Sequence, residues 1–276
     1  MLLLLALTLF GPADDAEAGR LIRRVIDARE RQLELESQYA FREQTTTRDV
    51  ASDGRVRSAK SETFLVTPAP GGEYRRLVER NGRPLDEKDR ASEERKFQEF
   101  LAEQSRSSPE ELAQKTNEKI RKRAERWQTR LEEALEVFEF TSLPNETLEG
   151  VPVRVFDFEP KPGYEPDSRS KKILARLEGR IWIDGGRDQI ARLRVRFREN
   201  LKFLGGIFGR VSEGSEAFAV GWLAGDELWL LDRIEASLDA RLYFLKEYRQ
   251  EIVIDYSDYE RLTVATDESV ALSPRR

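Results

Sequence analysis

The chain has 276 residues, 39% of them hydrophobic and 36% charged, with a formal net charge of −5. That balance suits a soluble globular chain rather than a disordered or membrane-spanning one, and it lacks the basic excess that nucleic-acid binding requires. Histidine and cysteine are both absent, which excludes histidine-based triads, cysteine nucleophiles, disulfides and zinc sites built from their usual ligands.

The first ten residues, MLLLLALTLF, form an apolar run too short to cross a bilayer, which needs about 20 residues. Gly11-Pro12 and then Ala16-Glu17-Ala18 follow it. An apolar core ahead of an A-x-A site is the pattern of a secretory signal peptide, so residues 1–18 are expected to be removed after Ala18. The basic residue that ordinarily precedes such a run is absent. Removing residues 1–18 takes away Asp14, Asp15 and Glu17 and leaves a net charge of −2. Without a cysteine the exported chain cannot carry a lipid anchor, so it is expected to be periplasmic and soluble.

Residues 19–38 predict a helix. Leu21, Ile22, Val25, Ile26 and Leu33 fall at helical spacing, with Arg and Glu between them. The period then changes to two. YAFREQTTTRDV (39–50) and RVRSAKSETFLV (55–66) read as strands joined at Asp53-Gly54, and Asn81-Gly82 marks another tight turn.

Residues 86–139 interrupt this meander with a segment rich in good helix formers. It splits at Ser108-Pro109-Glu110-Glu111, where Ser108 suits an N-cap, Pro109 the first helical position and Glu111 a capping box. The second helix places Trp127, Leu131, Leu135 and Phe138 on one stripe. Such a stripe packs on a core, and it can also wall a ligand cavity.

From residue 148 the chain reads as strands again. VPVRVFDFEP (151–160) is one, and a polar loop follows at 161–172. GRIWIDGGRDQIARLRVRF (179–197) is a hairpin turning on Gly185-Gly186. Ile181 and Ile183 share one face, Leu193, Val195 and Phe197 share one face, and Arg192, Arg194, Arg196 and Arg198 take the other. Asp184 to Asp188 lacks EF-hand spacing and reads as the turn of that hairpin, not as a calcium loop. Further on, Ile234, Ala236, Leu238, Ala240 and Leu242 alternate with Glu235, Ser237, Asp239 and Arg241. About ten antiparallel strands result, a sheet large enough that it must curl, split or close.

No G-x-S-x-G, Walker A or dinucleotide fingerprint is present. The chain is expected to be non-catalytic, with no metal and no cofactor. A hydrolase built on carboxylates or a Ser–Lys pair has no motif in its favour.

The N-terminal amphipathic helix, the Asp53-Gly54 and Asn81-Gly82 turns, Leu148-Glu149-Gly150-Val151-Pro152-Val153 leading into a strand, and GRIWID with its following strand together resemble a known pattern. It is that of the LolA/LolB superfamily of bacterial periplasmic lipoprotein and lipid carriers, with relatives such as LppX and RseB. The resemblance spans most of residues 19–265, and the long helical insert departs from it. It implies an α+β fold in which a strongly curved antiparallel sheet, an incomplete barrel, has helices covering its concave face as a single domain over residues 19–276. It implies a hydrophobic cavity for the acyl chains of lipids or lipoproteins, carried toward the outer membrane. Trp127, Leu131, Ile181, Ile183, Leu193, Val195, Phe197, Phe218, Trp222, Leu242 and Phe244 would line that cavity. The glycine-rich stretch with Gly205, Gly206, Ile207 and Phe208 would gate it. The residues alone fit a filled core equally well. The alternative is an RseB-like envelope sensor that docks membrane-anchored envelope proteins through residues 86–139. The protein is expected to be a monomer that binds no nucleic acid.

Overall fold

A computed structural model describes residues 12–203, 209–225, 227–242 and 246–262. Helix α1 (Pro12–Glu36) opens the fold and leads into β1 (Tyr39–Val50), β2 (Val56–Ala69), β3 (Gly72–Arg80) and the short β4 (Arg83–Pro84). Helices α2 (Glu87–Gln104) and α3 (Pro109–Val137) follow. Next come β5 (Phe138–Leu148), β6 (Val151–Pro160), helix α4 (Arg169–Leu174), β7 (Leu177–Asp184) and β8 (Gln189–Phe197). The chain ends in β9 (Leu201–Phe203), β10 (Gly209–Val211), β11 (Glu216–Ala224), β12 (Leu228–Leu242) and β13 (Lys246–Arg261).

The 13 strands form one antiparallel sheet in the order β4-β3-β2-β1-β13-β12-β11-β8-β7-β6-β5, with β9 and β10 attached beside β12. Its two ends, β4 and β5, are not paired with each other, so the sheet curls without closing. The ten long strands match the expected number, and β4, β9 and β10 are additions of two or three residues. The chain leaves the sheet at one edge through β4 and returns at the other through β5. Helices α2 and α3 are therefore the bridge between the two open edges. The expected capping box forms: the Ser108 side chain accepts from Glu111 N at 3.2 Å, and Glu111 Oε2 accepts from Ser108 N at 2.9 Å.

Three boundaries differ from the sequence reading. Phe138 does not extend the α3 stripe; it caps the helix in extended conformation, φ −98° and ψ 146°, and starts β5. Residues 138–148 form a strand that Pro144 concealed. Proline is tolerated there because β5 is an edge strand and its ladder is irregular between Leu143 and Glu146. Helix α1 begins at Pro12, so residues 12–18 belong to it. Ala18 is fully buried, Asp15 Oδ1 accepts from Phe140 N at 3.2 Å, and Glu17 pairs with Arg154 at 2.6 Å. Cleavage after Ala18 would remove these three contacts.

The main core lies between α1 and one end of the sheet. Leu21, Ile22 and Val25 of α1 pack on Phe140, Phe156, Phe158, Ile181 and Ile183. A second cluster lies on the opposite face of the sheet, where Val155 pairs across the ladder with Trp182, beside Leu148, Val153 and Trp229. Burying either set supplies roughly 25 cal/mol per Å² of apolar surface removed from water.

The β7–β8 turn seats α1. The Asp184 carboxylate, 1% exposed, accepts from Gly186 N at 2.9 Å, Arg187 N at 3.2 Å, Arg187 Nη1 at 2.9 Å and Trp229 Nε1 at 2.9 Å. Burial by itself would raise its pKa; the bonds from Trp229, Arg187 and Gly186 outweigh burial and hold it below the usual carboxylate range. The left-handed residue of this turn is Asp188, at φ 57°, and not either glycine. From α1, Arg24 reaches Gly185 O and Asp188, and Gln32 Nε2 donates to Asp188 O at 2.8 Å.

Gly179 marks the tightest approach in the sheet. A Cβ built there would fall inside the envelope of the Arg194 carbonyl oxygen and 2.6 Å from Phe158 Cζ. Gly179→Ala is therefore expected to destabilise by more than about 3 kcal/mol, at the upper end of overpacking costs, because a backbone atom cannot yield as a side chain can. Thermal unfolding followed by circular dichroism checks this. A melting temperature within a degree of the parent would show that β7 and β8 are free to separate.

Candidate functional site

A cavity of 1060 Å³ lies between α1, α3 and the sheet. Val25, Arg29, Gln32, Leu33 and Glu36 of α1 form one wall, and Thr116, Lys119, Ile120, Arg123, Arg126, Trp127 and Leu131 of α3 form another. The sheet contributes Tyr39, Phe41 and Glu43 from β1, Ile190 to Leu193 from β8, Ala219 to Gly221 from β11, Trp229 to Leu231 from β12 and Tyr256 and Tyr259 from β13. With Pro68 and Ala69 of β2 and Gly72 and Glu73 of β3, seven strands and two helices border one space, which shows which face of the sheet is concave.

The cavity exists because of side-chain size. On β11 the residues turned to it include Ala219 and Gly221, while the bulky Phe218 turns away. A register shift between Val220 and Gly221 lets the strand bend at this point. A Cβ on Gly221 would come within 3.1 Å of both Ala191 O and Leu230 O. On α3, Ile120, Trp127 and Leu131 are half-buried and face open space. Beyond the helices the same face continues outward. Ala219, Ile234 and Ile254 pair across three strands, as do Ala217, Ala236 and Ile252, and all are only half-buried. Residues paired in a ladder share a face, so a shallow apolar trough runs on from the cavity.

Of the polar lining groups, Gln32 and Gln189 are buried, and several of the charged ones are paired. Arg29 bonds Glu36 Oε1 at 2.6 Å, its guanidinium lies 5.2 Å from the Trp127 ring centroid, and Glu36 is 4.0 Å from Arg123. Glu43 pairs with Arg75, whose guanidinium stacks 3.5 Å from the Phe64 centroid. The β2–β3 turn is tied to α3 where Gly71 N donates to Thr116 Oγ1 at 2.9 Å. An aromatic cluster closes one end: Phe41 lies 5.2 Å from Tyr259 and 5.9 Å from Tyr256, and Tyr259 Oη donates to Leu231 O at 2.8 Å. Burial, reinforced by the nearby Glu43 charge, pushes the Tyr256 hydroxyl up to about 12, against the opposing pull of Arg75 and Arg123. Tyr259 is raised too, chiefly by its burial. This is an apolar receptacle with a charged mouth, an arrangement that suits binding.

Of the residues predicted from sequence, Trp127, Leu131 and Leu193 line the cavity. Ile181 and Ile183 are buried beneath α1 in the packed core, and Val195 packs against that core. Phe218 meets Trp182 edge to face on the opposite side of the sheet, ring centroids 6.3 Å apart. Trp222 lies outside the lining, 5.9 Å from Tyr259. Phe197 is half-buried outside the lining, its amide bonded to Ser215 O at 2.8 Å. Leu242 is the last residue of β12, and Phe244, Gly205, Gly206, Ile207 and Phe208 lie outside the described residues. Sequence reasoning missed the wall from α1 and β1, Arg29, Leu33, Phe41 and Glu43, and the small residues of β11. A strand with Ala219 and Gly221 on its inward face was the available signal for unfilled space.

No family model and no curated protein matches the chain. Among solved structures, the chain is similar to a domain described as an outer-membrane lipoprotein-sorting protein from Vibrio parahaemolyticus, at 12% identity and TM-score 0.32, over 91% of this chain and 95% of that one. It is similar to a DUF1329 family protein from Desulfovibrio piger, at 10% identity and TM-score 0.29, over 89% of this chain and 95% of that one. It is also similar to MucB, solved in complex with MucA, at 12% identity and TM-score 0.23, over 94% of this chain and 98% of that one. The functional reading comes from the cavity and not from these likenesses.

The raised hydroxyls predict an alkaline limit to stability. A tyrosine with a folded pKa above its unfolded value of 10 holds its proton more tightly in the fold. Its contribution is complete below pH 10 and is lost as pH rises from there through about 12. Urea midpoints measured across that range should fall, and Tyr256→Phe should flatten the fall. An equal slope in the variant would place Tyr256 in contact with bulk water.

Proposed function

We propose that the protein is a non-catalytic binding protein that holds acyl chains of a lipid or lipoprotein between α1, α3 and the sheet. The observation that supports this most directly is the 1060 Å³ space that Ile120, Trp127 and Leu131 face from α3 and Leu193 and Ala219 from the sheet. Pockets that bury a drug-sized ligand have volumes of about 300–1,000 Å³, so this one is at the upper end. Its wall chemistry is largely aliphatic and aromatic, which matches a long apolar chain better than a compact polar metabolite. Each methylene taken out of water is worth about 0.8 kcal/mol, so burying ten would contribute about 8 kcal/mol before ordering costs. The half-covered trough beyond the helices gives a longer chain somewhere to run.

A carrier's helices must serve the cavity, and α3 does: its apolar stripe faces the space while its start is tied to the β2–β3 turn. Among the described residues no helix is long and apolar enough to cross a membrane. Export to a periplasm and transfer toward an outer membrane complete the proposed role.

Native mass spectrometry of the protein purified from a Gram-negative periplasm, followed by lipid extraction, tests the reading. About one bound lipid or acylated peptide per chain is expected. Ala219→Trp, which fills the cavity from β11, should abolish the adduct while circular dichroism stays unchanged. A ligand-free mass, together with failure to take up a fluorescent fatty acid, would mean that the space is solvent and the reading is wrong.

A further inference from the structure

The charges around the cavity are not balanced. Its lining holds six basic residues and three acidic ones, in a chain whose overall charge is −5. The excess is concentrated on α3. Lys119, Lys122, Arg123 and Arg126 recur at steps of three and four, so they rise along one edge of the helix beside the inward stripe of Ile120 and Trp127. The acids are largely committed elsewhere: Glu36 to Arg29 at 2.6 Å and Glu43 to Arg75, which leaves Glu73 at the β2–β3 turn. Lys122 is paired with Glu118 at 2.6 Å, and Arg123 reaches Glu36 only at 4.0 Å. Among the described residues, neither Lys119 nor Arg126 has a carboxylate within 4.0 Å. Lys119 lies across the β2–β3 turn, its Nζ 2.8 Å from where a Gly72 Cβ would stand. The mouth is thus bounded by a fixed turn on one side and exposed cations on the other.

We propose that this edge reads the head of the ligand, and that the chain selects amphiphiles whose head group is anionic, a phosphate diester in the first instance, over zwitterionic or neutral ones with the same chains. The inference rests on the acyl-binding reading and adds the class of head group to it. The apolar stripe and the basic edge belong to one helix, so a chain lying along Ile120, Trp127 and Leu131 brings its head to Lys119 and Arg126. Exposed lysine and arginine are screened and contribute modestly one by one, but two or three converging on one phosphate give selectivity without costing buried charge.

Isothermal titration of the full-length protein with dioctanoyl phosphatidylglycerol and dioctanoyl phosphatidylcholine below their micelle concentrations separates the possibilities. At low salt the phosphatidylglycerol should bind roughly tenfold tighter, and the preference should shrink in high salt. Lys119→Gln combined with Arg126→Gln should bring the two lipids within roughly twofold of each other, chiefly by weakening phosphatidylglycerol. Equal affinities in the parent would overturn the head-group inference and leave acyl binding standing. A preference that survives in the double variant would also overturn it, by placing the reader elsewhere. Binding of neither lipid would remove the acyl-binding reading and this inference with it.

Discussion

The Asp184 carboxylate is the point on which the geometry of this molecule depends. It is buried, and it gathers four donors from the β7–β8 turn and from Trp229 of β12. A buried charge is tolerable only when fully bonded. Here the bonding has a spatial consequence. It fixes the turn on which α1 rests through Arg24 and Gln32, and it fixes the start of β12, whose Leu230 and Leu231 border the cavity. The position of α1 in turn decides how much of the concave face is filled. The first half of the helix packs down on Ile181, Ile183 and Phe156, whereas its second half, with Arg29, Leu33 and Glu36, borders open space.

Division of the concave face into a packed half and an open half explains how an unfilled cavity is compatible with a stable fold. Empty volume forfeits contacts that inward collapse would recover, so a cavity persists only where its walls are held apart. The packed half beside these walls is held from behind. Trp182, Val155 and Val153 form a core on the outer face of the sheet, directly backing the strands whose inner face carries Ile181 and Phe156. Across the mouth, α3 is anchored at its start to Gly71 and at its end to Lys161, whose ammonium donates to the carbonyls of Leu135 and Glu136 at 2.9 Å. That cation also meets the negative end of the helix dipole. The helix is thereby suspended over the space at both ends and need not sink into it.

Much of the fold was legible in the sequence because period and turn chemistry are local. The alternation of residues 179–197 and 234–242 became β7, β8 and β12, and Ser108-Pro109-Glu111 capped α3 as its spacing implied. The strand β5 was hidden by a proline that only an edge position tolerates, and edge positions are set by tertiary order. The site was less legible for a related reason. Ile181 and Leu193 pair across one ladder and share one face, yet the first is buried in the core and the second borders the cavity. What separates them is where α1 lies, and no pattern within the strand encodes that. Phe218 illustrates the complementary failure. EAFAVGWLAG is apolar on both faces, so its period could not say which side faced inward.

Residue size, not hydrophobicity, carries the information about the cavity. A strand that packs against a helix fills the gap with large side chains, as Phe156 and Ile183 do. A strand that borders unfilled space stays small, and the inward positions of β11 are Ala217, Ala219 and Gly221. Across the ladder Ala217 faces Ala236, whereas Ala219 and Gly221 face Ile234 and Leu231 of β12. The large residues of the same strand, Phe218 and Trp222, are spent on aromatic contacts to Trp182 and Tyr259 that brace the sheet. The choice of alanine and glycine on the inner side and aromatics elsewhere leaves open, on the concave side of β11, space that large side chains would fill.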